Sequence, residues 1–260
     1  MSDLEREGSR PIARDLHEDP DAESLHDQLK IFAREVGGLY TAERVRTREL
    51  EHALERARDM YIATMKSLAH VVEAKDPTTR GHLDRTAHYG LALARVVDPV
   101  LAARPEVAYG FFLHDIGKVG IPESILCKAG PLTELEWIVM KSHPNQGARI
   151  VEPIPFMGEA VEIVRSHHER FDGGGYPRGL RGEQIPLAAR IFAIADSFDA
   201  MTSDRPYRSA LSTEDAVAEI RAGSGTQFDP LCVEAFEALA AEDDGFVLHD
   251  KRLTPTFAAR

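Results

Sequence analysis

The sequence has few cysteines, no long apolar run and no excess of basic residues. Cys127 and Cys232 are the only cysteines among 260 residues, which is too few for a disulfide framework and favours a reducing compartment. No apolar run approaches the ~18 residues of a membrane span, and the N-terminus lacks the apolar segment of a secretory signal. We therefore predict a cytoplasmic protein without a membrane span.

The charge balance disfavours one class of partner. The formal net charge is −12, from 31 Lys and Arg against 43 Asp and Glu. An acidic surface repels a phosphate backbone, so we expect no binding to a nucleic-acid polymer. A small anionic ligand is compatible with this charge if cations gather locally.

The apolar pattern predicts an all-α chain, because the alternation typical of strands is nowhere convincing. Residues 1–24 are polar and predict a disordered tail. Helical spacing over 25–75 predicts a long helix, either a coiled-coil stem or a helix packed on its own domain, and Gly37-Gly38 should weaken or break it. Further helices are predicted over 83–98, 104–115, 133–142, 157–168, 187–203, 213–222 and 230–241, with a long loop at 169–186.

Residues that can bind metals lie where these predicted helices end. His114 and Asp115 follow the apolar run AYGFFL, and burying either one unpaired costs several kcal/mol, so each needs a partner. His167 and His168 precede the glycines of HHERFDGGGYP, and both can reach one site only if the helix ends there. His143, just before a proline, is predicted to end another helix. A lone His-Asp pair is more often structural than metal-binding, so both interpretations stay open for it.

Taken together, these donors exceed what one closed zinc site uses. They are His82, His114, Asp115, His143, His167, His168 and Asp196. Mixed nitrogen and oxygen ligands without cysteine suit two ions such as Fe or Mn, and two ions ~3.5–4 Å apart can clamp a phosphate ester during displacement. Cations for an anionic substrate are also present: Lys118, Arg178, Arg181, Arg205 and Arg208, of which the two loop arginines, Arg178 and Arg181, are equally consistent with ordinary surface charge.

From about Asp76 to Val233 the chain resembles the HD-GYP proteins, a branch of the HD phosphohydrolase superfamily. The matching segments are DPTTRGH, LHDIGK, ILCKAGPLTELEW, SHPNQGA, HHERFDGGGYPRGLRGEQIP, ADSFDAMTSDRPYR and GTQFDP. The signature HHExxDGxGYP is complete at His167, His168, Glu169, Asp172, Gly173, Gly175, Tyr176 and Pro177. The resemblance implies an HD-superfamily helical bundle as catalytic domain over 76–241, after a disordered tail (1–24) and a helical stem (25–75) and before a C-terminal tail (242–260).

The resemblance implies a metal-dependent phosphodiesterase that hydrolyses cyclic di-GMP to pGpG or GMP, through attack on phosphorus by a hydroxide held between two metal ions. One alternative keeps this chemistry for another cyclic dinucleotide, such as cyclic GMP-AMP. The other is an interaction module with vestigial catalysis, whose GYP loop (169–177) docks a GGDEF diguanylate cyclase or an adaptor. The stem is expected to mediate a homodimer or to attach to a separate partner.

The resemblance also implies roles for single residues. His82, His114, Asp115 and Asp196 would hold one ion, and Asp115 would bridge to a second ion held by His143, His167 and His168. Lys118 would act with Asp115 in catalysis, in contact with the bridging hydroxide or the scissile phosphate, and Arg205 and Arg208 would hold phosphate oxygens. Asp199, grouped with these substrate-binding residues, would support the site from behind the ligands or position Arg205. Thr78 stands where some members carry a glutamate for a third metal, so we expect two divalent ions, Fe or Mn. The roles of Glu169, Asp172 and Tyr176 stay open between substrate contact, bracing of the loop and partner binding.

Overall fold

The computed structural model describes residues 20–75, 81–204 and 209–242, and within these ranges every regular element is a helix. The α-helices are α1 (Pro20–Glu73), α2 (His82–Val97), α3 (Pro99–Ala102), α4 (Pro105–Leu113), α5 (Glu123–Leu126), α6 (Glu134–Met140), α7 (His143–Val151), α8 (Gly158–Ser166), α9 (Leu187–Thr202), α10 (Thr213–Ala222) and α11 (Pro230–Glu242). Short 3₁₀ helices cover Ile116–Gly120 and Gly182–Gln184. The all-α prediction is confirmed. The predicted tails 1–24 and 242–260 lie outside the described ranges except for residues 20–24 and 242, which belong to α1 and α11, so the tail prediction is wrong at those positions.

Helix α1 runs without interruption through Gly37 and Gly38, so the predicted break there is wrong. Two glycines cost about 2 kcal/mol relative to alanine in a helix. Long helical segments without proline on both sides outweigh this cost, because helix formation is cooperative once started. No described helix carries an apolar stretch long enough to cross a membrane.

The chain divides into two compact units, Met1–Asp59 and Met60–Arg260. In the first unit, the described part of α1 is exposed along its length except at the half-buried Arg58, and its large apolar side chains are exposed too. In the second unit, the last turns of α1 bury Ile62, Met65, Ala69 and Val72 in the core. The stem helix therefore changes character at about Met60, from a solvated helix to a core element.

The core of the second unit holds the helices that carry the site. Helix α2 packs on α4, α9 and α11, and α8 packs on α4 and α7. Phe111 of α4 stacks on Phe192 of α9 with ring centroids 4.8 Å apart, and both rings are fully buried. Close packing of this kind fixes the helix ends relative to one another.

The predicted helices of this unit all occur, with ends within one to two residues of the prediction. Three observed helices were not predicted: the four-residue helices α3 and α5, and the longer helix α7. Helix α7 begins at His143, with Pro144 in its first turn, whereas the sequence interpretation had His143 ending the helix before. Backbone N–H groups in the first turn of a helix have no intrahelical acceptor. Proline is therefore favoured there, because the N–H that it lacks would have made no helical hydrogen bond. Pro144, which the sequence interpretation took as a helix stop, thus lies in the first turn of α7, and a two-residue turn at 141–142 separates α6 from α7.

Candidate metal centre

The seven predicted metal ligands lie in or next to five helices and meet inside the second unit. His82 opens α2, His114 and Asp115 follow α4, His143 opens α7, His167 and His168 follow α8, and Asp196 lies within α9. His82, His114, His143 and His167 are all at least 95% buried. Breaks in the helices turn these side chains inward, as the sequence predicted for His167 and His168.

Asp115 lies between two groups of donors. The first is Asp115 with His143, His167 and His168, and the second is Asp115 with His82 and His114; the ligand atoms within each group lie within 4.8 Å of one another. Oδ1 of Asp115 is 3.2 Å from Nε2 of His143, and Oδ2 is 3.4 Å from Nε2 of His114. One carboxylate therefore faces both groups with different oxygens, which is the arrangement of a bridging ligand. Asp196 approaches the second group, with Oδ1 3.3 Å from Nε2 of His82.

Hydrogen bonds fix which nitrogen of two rings is free for a metal. Nδ1 of His143 donates to the carbonyl of Met140, and Nδ1 of His167 donates to the carbonyl of Val164, both at 2.8 Å. Neutral rings held in this way carry their lone pairs on Nε2, and these two Nε2 atoms lie 3.3 Å apart. Two facing lone pairs repel each other unless a cation lies between them. The donor set therefore fits a bound metal ion, and metal-binding histidines commonly donate their other N–H in this way.

The electrostatics of the site favour bound cations. Burial opposes ionisation of Asp115, but Lys118 and His114 outweigh it and hold the pKa of this carboxyl well below its usual range. Burial, together with the neighbouring His143, lowers the pKa of His168 to about 3. Burial also opposes protonation of His114, yet Asp115 raises the pKa of this imidazole above its usual value. At neutral pH Asp115 is thus a carboxylate and the His168 ring is neutral, which is the protonation state that these two residues need to bind a metal.

Asp199 supports His82 rather than facing a substrate. It is 2% exposed, its Oδ2 lies 2.7 Å from Nδ1 of His82, and its Oδ1 accepts from Nε of Arg85 at 2.5 Å. Both oxygens are therefore engaged inside the protein, and of the interpretations left open for Asp199 these contacts favour support of the site. Its cationic neighbour is Arg85, which the sequence interpretation missed although it lies one helical turn after His82.

The predicted phosphate-binding residues are placed only in part. Nζ of Lys118 lies 2.7 Å from Oδ2 of Asp115, so this ammonium is at the edge of the donor groups. Arg205 and Arg208, and also Thr78 at the third-metal position, lie outside the described residues. Arg178 contacts Glu162 and Ser166 through its guanidinium and is not directed at the donors.

Glu169 of the GYP loop braces the loop itself. It is 4% exposed, and its two oxygens accept hydrogen bonds from the backbone N–H groups of Arg178 at 2.7 Å and Leu180 at 3.0 Å. Backbone N–H groups in a loop have no acceptor from a helix or a strand. The buried carboxylate of Glu169 supplies acceptors for two of them. Of the three interpretations left open for this residue, its contacts favour bracing.

Asp172 and Gly175 also help to hold the loop in its conformation. Asp172 accepts from the backbone N–H of Gly174 at 2.8 Å and from Arg170 at 2.8 Å. A Cβ added at Gly175 would lie 2.3 Å from the backbone nitrogen of Arg170, so two loop segments pass each other too closely for any side chain. The glycine of the motif is thus explained by close backbone approach.

Tyr176 is the loop residue that touches the donors. The centroid of its ring lies 4.8 Å from the centroid of the His168 ring, at an interplanar angle of 33°. Burial, with Asp115 and Asp196, raises the pKa of the Tyr176 phenol, so this hydroxyl stays protonated and near the carboxylates. Tyr176 therefore forms one wall of the candidate metal centre, and Lys141 lies on it, with Nζ 5.4 Å from the ring centroid.

Comparison with known proteins agrees with this architecture. A family model described as HD domain matches residues 66–231, so the chain belongs to the HD domain family, and the predicted HD-GYP membership is confirmed. A cyclic di-GMP phosphodiesterase of Vibrio cholerae is 41% identical over 220 residues, covering 77% of this chain and 43% of the relative. A cyclic di-GMP phosphodiesterase of Thermotoga maritima is 40% identical over 186 residues, covering 71% of this chain and 50% of the relative. The chain thus spans half the length of these curated relatives or less.

Relatives named for a different substrate are nearly as similar. A 3′3′-cGAMP-specific phosphodiesterase of Vibrio cholerae is 38% identical over 167 residues, covering 64% of this chain and 36% of the relative. The crystal structure of a cyclic GMP-AMP-specific phosphodiesterase from the same organism has a TM-score of 0.51 at 23% identity, covering 70% of this chain and 49% of that one. At that identity the structural likeness supports the fold alone.

Proposed function

We propose that this protein is a metal-dependent phosphodiesterase that hydrolyses cyclic di-GMP to pGpG or GMP. The observation that carries the proposal is the pair of donor groups that share Asp115, placed at convergent helix ends in a chain of the HD domain family. Relatives named cyclic di-GMP phosphodiesterases support the substrate.

The proposed cofactor is a pair of divalent ions, Fe or Mn, because nitrogen and oxygen donors without cysteine suit these metals. When bound, two such ions activate water and neutralise the charge that develops on a phosphate during displacement. His82, His114, Asp115 and Asp196 are the proposed ligands of one ion. Asp115, His143, His167 and His168 are the proposed ligands of the other.

The remaining residues position these groups and the substrate. Asp199 orients the His82 ring through Nδ1 and leaves Nε2 facing the site. Lys118, 2.7 Å from Asp115, supplies an ammonium at the edge of the site, where it attracts the phosphate of the diester. Arg205 and Arg208 are proposed to hold phosphate oxygens, as the family resemblance implies.

The test is turnover by the full chain, purified without oxygen and analysed for metal content. We expect bound Fe or Mn, and conversion of cyclic di-GMP to pGpG or GMP in product chromatography. Protein stripped with a chelator should lose turnover and regain it when Mn²⁺ is added back, because the site then lacks only its ions. Fully metal-loaded protein that hydrolyses no cyclic dinucleotide would contradict the proposal.

A second candidate substrate is cyclic GMP-AMP, which the similarity to relatives specific for 3′3′-cGAMP favours. The same product chromatography with both dinucleotides separates the two candidates through the ratio of their kcat/KM values. We also propose a cytoplasmic location, which the free Cys127 and Cys232 support. The GYP loop remains a proposed docking site for a GGDEF or adaptor protein.

We propose a homodimer through the first part of α1. Leu25, Leu29, Phe32, Val36 and Leu39 follow a 4-3-4-3 spacing, and each is at least 46% exposed. An apolar stripe of this spacing on a solvated helix is buried when a second copy of the helix pairs with it.

Replacing Leu29 and Phe32 by glutamate should therefore convert a dimer to a monomer, because charges are excluded from such a seam. Light scattering after size-exclusion chromatography measures the mass. The matched control is glutamate at Arg34 and Arg48, exposed positions on the same helix outside the stripe, which should leave the dimer intact. A wild-type chain that is monomeric at concentrations of about 100 μM, well above the Kd of a specific dimer, rules the proposal out.

A further inference from the structure

Beside Tyr176 lies an open pocket of about 500 Å³, here named the aromatic pocket, lined by Glu134, Trp137, Ile138, Lys141 and Tyr176. Its volume is in the range of about 300–1,000 Å³ that is usual for small-molecule sites. Trp137 is 46% exposed and Ile138 is 67% exposed, so neither is a core residue. Because Tyr176 also lies against the His168 ring, the pocket begins one aromatic ring away from the candidate metal ligands.

We propose that the aromatic pocket binds one guanine base of the substrate and thereby selects the nucleotide. This inference rests on the proposed function, since the phosphate must reach the donor groups while the base occupies the pocket. The shared wall formed by Tyr176 provides that geometry.

Stacking is the first argument. Nζ of Lys141 lies 5.8 Å from the ring centroid of Trp137 and 5.4 Å from that of Tyr176, so the two rings border the same small volume. Unpaired bases are held in proteins mainly by stacking on aromatic rings, and a purine offers a larger face than a pyrimidine. An exposed tryptophan beside a tyrosine is therefore a suitable platform for a purine.

The charges of the pocket select guanine among the purines. Guanine presents the acceptors O6 and N7, which match the ammonium of Lys141, and the donors N1–H and N2–H₂, which match the carboxylate of Glu134. Adenine presents an acceptor at N1 and a donor at the amino group on C6, so its edge opposes this pattern. One cation and one anion in the same pocket thus favour guanine over adenine.

The chain offers a direct probe, because Trp137 is its single tryptophan. Titration of the Mn²⁺-loaded full chain with GMP should quench tryptophan fluorescence saturably. AMP should bind at least about tenfold more weakly, because one matched base edge is lost. Ribose 5-phosphate, which has no base, should not quench. Free tryptophan titrated alongside corrects for light absorbed by the nucleotides.

Variants separate base binding from folding. Trp137→Ala should lower kcat/KM for cyclic di-GMP about tenfold or more, whereas Trp137→Phe, which keeps a ring, should recover most of it. Glu134→Gln should reduce the preference for GMP over AMP. The control is Leu135→Ala, since Leu135 lies on the same helix, is 76% exposed and does not line the pocket. Metal content should be the same in all four variants.

Each outcome decides between the two proposals. Equal quenching by GMP and AMP, or unchanged kcat/KM in Trp137→Ala, overturns the base site, and the latter is the result expected if this surface served a protein partner instead. Turnover of cyclic di-GMP without any quenching by GMP also overturns it and leaves the phosphodiesterase intact. Saturable quenching by GMP in a chain that hydrolyses no cyclic dinucleotide supports the pocket and refutes the proposed function.

Discussion

Replacing His114 and Asp115 together by alanine is expected to abolish hydrolysis of cyclic di-GMP. Asp115 is the one residue common to both donor groups, and its two oxygens face different histidines, so its loss removes an oxygen donor from each group. Turnover should fall by at least about a thousandfold, because enzymes of this kind owe rate enhancements of about 10⁶ or more to their catalytic groups. Product chromatography measures turnover, and elemental analysis measures the accompanying loss of metal.

A second His-Asp pair provides a matched control for this double variant. His26 and Asp27 lie on the exposed part of α1, where Asp27 forms a surface ion pair with Lys30 at 3.3 Å. Such pairs contribute about 0–1 kcal/mol, so alanine at both positions should change neither turnover nor metal content. Circular dichroism should show helical content near that of wild type in both variants. Turnover retained by the His114/Asp115 variant after metal loading would refute the proposal that these two residues are needed for hydrolysis.

Gly117→Ala is expected to damage both stability and activity. A Cβ at this position would lie 1.9 Å from the carbonyl oxygen of His143 and 2.5 Å from the backbone nitrogen of Gly147. Both atoms belong to the backbone of α7, so the added methyl group can be accommodated only if that helix moves. His143 opens α7 and would move with it, away from Asp115.

Overpacking of this kind costs about 1–3 kcal/mol, which corresponds to a decrease in melting temperature of roughly 3–10 °C for a chain of this size. We expect kcat to fall at least about tenfold in addition, because a displacement of about 1 Å at a catalytic group has effects of that order or larger. Gly130→Ala is the control, since a Cβ there meets nothing within 4 Å. If Gly117→Ala matched Gly130→Ala in both melting temperature and kcat, the packing of α7 on the Ile116–Gly120 turn would not position His143.

The elements of the second unit could be predicted from sequence because they depend on local chemistry. Apolar periodicity predicted the helices of this unit except α7 and the four-residue helices α3 and α5, and the capping box of Thr133 and Glu136 is present at the start of α6. Two of the departures from the prediction, at Pro144 and at Gly37-Gly38, have local causes of another kind. Pro144 indicates a helix end for α6, which precedes it, and a helix start for α7, in whose first turn it lies. At Gly37-Gly38 the cooperativity of a long helix outweighed the low helix propensity of two glycines.

The sequence by itself determined the fold class, the residue types able to hold metals and the helix ends that carry them, because these follow from the order of residues along the chain. Only the tertiary structure decided that Asp115 faces both donor groups, that Asp199 supports His82 from 117 residues away, and that Trp137 and Tyr176 border one pocket. These relations join residues far apart in sequence, and no local pattern encodes them. They arise when burial of the common core sets the positions of α2, α4, α8 and α9 relative to one another.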